Sequence, residues 1–260
     1  MSAPVSRSRS LHNPHFPGEA FAFESGGPDA VLLFHGFTAT PYEVYGLGQA
    51  LQKAGYSAYG PMLAGHGTHP RDLNQVRWQT WTEEAEQTFD ALAQKYRRVI
   101  VGGESNGGLI ALHLAAARPE AAAVLEYAPA FKIAFSPFQR LLLKVLTPLG
   151  FMQPKPDIRA NTDWQGYRYN PLRGLAQLLE LRNEVRAGLP RVCQPALIVQ
   201  GREDYTIAPE GAEELYALLG SPIKELHWYD QGPHCLLLSA QREQVYNLTM
   251  EFLGRVGIRE

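Results

Sequence analysis

Apolar residues along this chain follow two alternating periods. Short aliphatic or β-branched runs stand at Ala30–Phe34, Arg98–Gly102, Ala122–Tyr127 and Pro195–Gly201, each of a length suited to a buried strand. Shorter runs at Phe21–Glu24, Tyr56–Tyr59 and Lys224–Tyr229 predict an edge strand, a third inner strand and a last strand. Between them the spacing changes to that of helices. Pro41 opens a segment that Gly55 closes, Pro209 opens another that ends at Gly220, and Ser239 to about Leu253 forms the closing helix. Trp78, Trp81, Ala85, Phe89, Leu92 and Tyr96 recur every three to four residues, with Glu83, Glu84, Gln87 and Gln94 on the opposite side. That aromatic stripe reads as core packing. Gly108–Ala117 reads as a helix stopped by Pro119. Strand and helix in strict alternation predict an α/β fold: a mostly parallel central sheet with helices on both faces.

The alternation fails between about Ala130 and Pro190. This stretch holds Pro137, Pro148, Pro154, Pro156 and Pro171, and no strand with helix-length spacing after it is expected there. An apolar, mostly helical segment is expected from Phe131 to Met152 and a second from Leu172 to about Ala187. The predicted organisation is therefore a flexible segment over 1–20, a core over 21–129 and 191–260, and a helical cap or lid inserted over 130–190. An excess of Phe and Leu in the insertion suits a cover over an apolar pocket.

Bulk properties narrow the function by exclusion. A length of 260 residues suits one such domain with its insertion. A net charge of −2 gives no footprint for nucleic acid or an anionic membrane surface. No apolar run is long enough to span a bilayer, and no signal-peptide core follows Arg7 and Arg9, so a cytoplasmic protein is expected. Cys193 and Cys235 are widely separated and are expected to be two buried thiols. His66 and His69 have the spacing of a metal pair, but no third ligand lies nearby, and neither metal nor cofactor is expected.

The chemistry concentrates in Gly103-Glu104-Ser105-Asn106-Gly107, between the run at 98–102 and the helix that follows. Gly-x-Ser-x-Gly in a strand-to-helix turn is a nucleophile elbow: the turn strains the serine backbone and lifts its hydroxyl clear of the sheet. A serine hydroxyl needs a base, and the base needs an orienting carboxylate. In this architecture the acid follows a later strand and the histidine follows the last one. Asp204, in Gly201-Arg202-Glu203-Asp204, fits the acid, with Glu126 at the end of the preceding strand as the alternative. His234, in Gln231-Gly232-Pro233-His234-Cys235, fits the base; none of the other histidines combines that chain order with a loop. The run Ala30–Phe34 ends in His35-Gly36-Phe37, where the Phe37 amide can pair with the Asn106 amide as an oxyanion hole.

These pieces, with Thr38-Ala39-Thr40-Pro41 and Gly65-His66-Gly67-Thr68, resemble the α/β-hydrolase superfamily over about Ala30 to Leu253. Within it the likeness is to compact bacterial carboxylesterases and monoacylglycerol lipases. The resemblance implies Ser105 as nucleophile, Asp204 as acid, His234 as base, a small helical lid and no cofactor. The expected substrate is a carboxylic ester with a short-to-medium acyl chain, hydrolysed through an acyl-enzyme. Glu104 and Asn106 depart from the apolar or long residues usual beside the serine, and a buried Glu104 would need a partner. Dehalogenases and epoxide hydrolases place an aspartate at the elbow, so Ser105 argues against both. An acyltransferase or perhydrolase would use the same residues; a non-catalytic binding protein would have little reason to keep all three.

Overall fold

The computed structural model describes residues 10–133, 135–136, 141, 143, 145–155 and 163–257. In chain order the strands are β1 (Leu11–His12), β2 (Phe21–Phe23), β3 (Asp29–Phe34), β4 (Ser57–Gly60), β5 (Arg98–Glu104) and β6 (Val124–Tyr127). They continue with β7 (Met152–Pro154), β8 (Gly166–Tyr167), β9 (Tyr169–Pro171), β10 (Ala196–Gly201) and β11 (Lys224–Tyr229). Seven of them form one sheet in the order β11-β10-β6-β5-β3-β4-β2. All neighbours in it are parallel except β2, which runs antiparallel to β4 at the edge.

Side chains of β3 are buried on both faces of the sheet. Leu32 and Phe34 join the cluster containing Trp81, Phe89 and Leu109, while Val31 and Leu33 join the one containing Leu47, Leu51 and Phe252. This double burial is why β3 reads as a continuous apolar run and not an alternating one. The elbow helix, Asn106–Ala117, has almost every residue up to Ala115 buried, His113 excepted, which accounts for its apolar composition on all sides. After β3 the chain first builds β4 on one side, then returns to build β5 on the other. The carboxyl ends of β3 and β5 therefore flank a switch in strand order, where open parallel sheets form their crevices.

The insertion differs from expectation in having strands. β7 pairs antiparallel with β9, and β8 pairs antiparallel with β1. The Phe131–Met152 helix is only partly realised among the described residues: 131–133 and 135–136 are not helical, 141, 143, 145 and 146 are, Thr147–Leu149 is a 3-10 turn and Met152 opens β7. The second helix runs Leu172–Gly188 as expected. The described part of the segment expected to be flexible is built in. Leu11 is buried opposite Tyr167, Asn13 Nδ2 donates to Trp164 O, and Gln165 Nε2 donates to the carbonyls of Asn13 and Phe16. Cys235 is buried but Cys193 is exposed, because it lies outside the core in the loop before β10. Among the described residues no helix is long and apolar enough to cross a membrane.

Candidate active site

β5 delivers Ser105 in a conformation that few residues tolerate, φ 58° and ψ −113°. The flanking glycines make that turn possible. A Cβ on Gly107 would lie 2.0 Å from the carbonyl oxygen of Phe34, and one on Gly103 would lie 2.3 Å from the carbonyl carbon of Gly107. The elbow is thus wedged against the end of β3, and only hydrogen fits at either contact.

The three residues singled out from the sequence meet. His234 Nε2 is 3.0 Å from Ser105 Oγ, and His234 Nδ1 is 2.7 Å from Asp204 Oδ2. With the carboxylate accepting from Nδ1–H, Nε2 presents its lone pair to the serine hydroxyl. Asp204 Oδ2 also accepts from Gln200 Nε2 at 3.1 Å, and Oδ1 accepts from the amides of Thr206 at 2.9 Å and Ile207 at 3.0 Å. Burial pushes the Asp204 carboxyl up, but the nearby His234, its hydrogen bond and the two amides outweigh it and leave the group below its ordinary value. The His234 side chain keeps 14% of its surface exposed while that of Asp204 keeps none, so the pair reaches solvent only through the imidazole.

Glu126, the alternative acid, lies elsewhere. It is fully buried under the elbow helix, where a Cβ on Gly108 would fall 2.3 Å from its Oε2. Neither oxygen has a hydrogen-bond partner among the described residues, and burial pushes its pKa well above the usual carboxylate range. Glu104 is buried on the other side of the elbow. Its Oε1 accepts from the Leu237 amide at 3.1 Å; burial and then the neighbouring Glu43 push its pKa well above the usual carboxylate range.

The Gly36–Phe37 peptide is anchored through its carbonyl. Gly36 O accepts from the Ala39 amide at 3.2 Å and stands 3.0 Å from His35 Nδ1. His35 Nε2 accepts from the Leu63 amide at 3.2 Å, which places the ring proton on Nδ1 and makes that nitrogen the donor to Gly36 O. Burial, partly offset by the Gly36 bond, lowers the His35 pKa to about 4 and keeps the ring neutral. With the carbonyl fixed, the Phe37 N–H of the same planar unit points the opposite way, and no described residue accepts it. The Asn106 amide is the first of its helix, one of the four that a helix leaves without an internal acceptor. His66 and His69 do not converge. His66 is buried with its ring against those of His35 and Tyr167, whereas His69 caps the short helix Pro70–Leu73.

The family model described as serine aminopeptidase, S33, matches residues 28–241. The chain belongs to this family of α/β-hydrolases. It is 29% identical to the thermostable monoacylglycerol lipase of Bacillus sp. (strain H-257), over 93% of this chain and 97% of that one. It is 29% identical to a carboxylesterase of Bacillus subtilis (strain 168), over 91% and 96% respectively. Among solved structures, one from a study of the metagenome-derived lipolytic enzymes LipS and LipT superposes with a TM-score of 0.82 at 27% identity, covering 92% of this chain and 98% of its own.

Several groups in this hydrolase's site carry no signature in the sequence. Glu43, in the helix Tyr42–Lys53, is buried and accepts from the Gly36 amide at 2.5 Å and from Trp164 Nε1 at 3.1 Å. Lys155 Nζ donates to Thr38 Oγ1 and lies 4.3 Å from the centre of the Trp164 ring; burial, countered by Cys235 and Glu43, lowers its pKa to about 8. Tyr167 N donates to Thr38 O, and Thr38 sits at φ 65°.

Proposed function

We propose that this hydrolase cleaves carboxylic esters through an acyl-enzyme, with Ser105 as nucleophile, His234 as general base and acid, and Asp204 as the orienting carboxylate. The single observation that carries the reading is the unbroken hydrogen-bond order Ser105–His234–Asp204. Ser105 attacks the ester carbonyl while His234 Nε2 takes its proton, and Asp204 stabilises the resulting imidazolium. The oxyanion rests on the Phe37 and Asn106 amides. His234 then protonates the departing alcohol, and a water activated by the same nitrogen releases the acid. The names of the two Bacillus relatives, a monoacylglycerol lipase and a carboxylesterase, support an ester in place of a peptide.

The insertion serves in this reading as a lid over the acyl pocket. Phe37 supports that placement, since its ring reaches within 3.2 Å of where a Gly174 Cβ would stand on the insertion helix. Esters of short-to-medium acids, monoacylglycerols among them, are the proposed substrates. Turnover of p-nitrophenyl esters from acetate to palmitate by the parent and by Ser105→Ala tests the reading. Activity that disappears with the serine and peaks at butyrate to octanoate is expected. Inactivity on every ester by the folded parent would refute ester hydrolysis, and faster turnover of palmitate would refute the chain-length assignment.

A further inference from the structure

The amide proposed to hold the oxyanion belongs to a loop whose shape is not self-sufficient. Gly36 has no side chain, and Thr38 is held at φ 65°, a region that a β-branched residue rarely adopts. Something must fix the loop from outside. The buried carboxyl of Glu43 lies directly behind it: Oε2 takes the Gly36 amide at 2.5 Å and Oε1 takes the Trp164 indole N–H at 3.1 Å. Cys235 Sγ, on the residue after His234, lies 3.8 Å from the same Oε1. A Cβ placed on Gly36 would fall 2.8 Å from Glu43 Oε2 and 3.3 Å from Ser105 Cβ, so Gly36 lies closely between the carboxyl and the nucleophile. Glu43 as a whole is 3% exposed, so little water competes for these donors.

We infer that Glu43 is a positioning residue for the reaction: it fixes the Gly36 amide so that the next amide, Phe37 N–H, is preset toward the oxyanion, and its second oxygen ties that setting to Trp164 of the insertion. The inference rests on the ester-hydrolase reading above and deepens it. Two donors on two different oxygens explain why a carboxyl stands here. An amide offers one acceptor oxygen and must turn its NH2 toward one of the two donors; a leucine offers none. An oxyanion donor acts mainly in the transition state, so a loop that drifts lowers kcat and leaves substrate binding nearly untouched.

The test compares Glu43→Gln and Glu43→Leu with the parent on p-nitrophenyl butyrate, together with binding of phenylboronic acid, which adds to the serine as a tetrahedral anion. Removing a single oxyanion donor lowers kcat about 10²–10³-fold, so losing its support is expected to lower it about 100-fold in Glu43→Leu and about 10-fold in Glu43→Gln, which keeps one acceptor. KM should stay within about threefold, and boronate affinity should fall in step with kcat/KM, a correlation that a general loss of packing does not produce. If Glu43→Leu fails to fold, Glu43→Gln decides alone. A kcat within twofold of the parent in the folded variant overturns the inference. So does a raised KM at unchanged kcat, or a displaced acid limb of the kcat/KM profile with an unchanged plateau. Failure of the parent on all esters removes the reading itself, whereas parent turnover with insensitive variants removes only the role of Glu43.

Discussion

Asp204→Asn makes the sharpest demand on the proposed site, because the structure fixes what the new side chain must do. Asp204 accepts four hydrogen bonds and donates none: two backbone amides on Oδ1, and Gln200 Nε2 and His234 Nδ1 on Oδ2. Asparagine can keep its oxygen on the two amides, which turns its NH2 toward Gln200 and His234. The histidine can then meet that NH2 only as the other tautomer, with Nδ1 accepting and the proton on Nε2. An Nε2–H facing Ser105 cannot take the serine proton. A wrong-tautomer histidine of this kind costs about 10⁴-fold in kcat, or about 5.4 kcal/mol of barrier at 1.36 kcal/mol per decade. The assay is initial-rate hydrolysis of p-nitrophenyl butyrate at pH 8, with circular dichroism to establish that the fold survives. A loss below tenfold in the folded variant would refute the assignment of the orienting acid. So would a larger loss in Glu126→Gln than in Asp204→Asn, since Glu126 lies under the elbow helix and takes no part in the chain from Ser105.

Gly107→Ala should destabilise the fold by about 3 kcal/mol or more, because the added carbon overlaps backbone on both sides and no rotamer relieves it; its Cβ would meet Phe34 O at 2.0 Å and His35 O at 2.8 Å. Denaturant unfolding measures this, and a change under about 1 kcal/mol would contradict the packing described. Glu126 supplies a test of opposite sign with pH. Its folded pKa is raised by burial, so above its ordinary value the folded state holds a proton that the unfolded state has released. Its contribution to stability is therefore fully present below the unfolded pKa and declines as pH rises toward the folded one. Glu126→Gln removes that decline, and should gain on the parent by up to about 1.4 kcal/mol per pH unit as pH rises above the ordinary carboxylate value. Equal slopes for the two proteins would show that the carboxyl is ionised in the fold.

The sequence carried the sheet and the order of the proposed triad because both depend on local signals. A β-branched run before Gly-x-Ser-x-Gly and an apolar helix after it specify the elbow wherever they occur, and Asp204 and His234 were located by their places after strands. The parts that escaped reading depend on contacts between distant residues. Glu43 meets Trp164 across 121 positions and Cys235 across 192. β1 and β8 have two residues each, too short for any periodicity to mark, and they exist because each completes the other's hydrogen bonds. Polar residues in the insertion, Lys155 and Gln165, carry no local signal, yet they hold Thr38 and Thr40 of the loop beside the elbow. Cys193 shows the same limit in reverse. Expected to be a buried thiol, it falls instead in the loop before β10 and is exposed.

The pairing of Leu11 with Tyr167 gives the site a history as well as a shape. Contacts between segments so far apart close late in folding, since the loop between them must lose its freedom before the contact returns any stabilisation. The loop proposed to hold the oxyanion depends on Lys155, Trp164 and Tyr167 and, through Trp164, on Asn13 near the start of the described residues, while the proposed base arrives only with residue 234. The central strands and the elbow helix draw on closer neighbours. On refolding, helical signal is therefore expected to return ahead of turnover, which waits for these distant contacts to close.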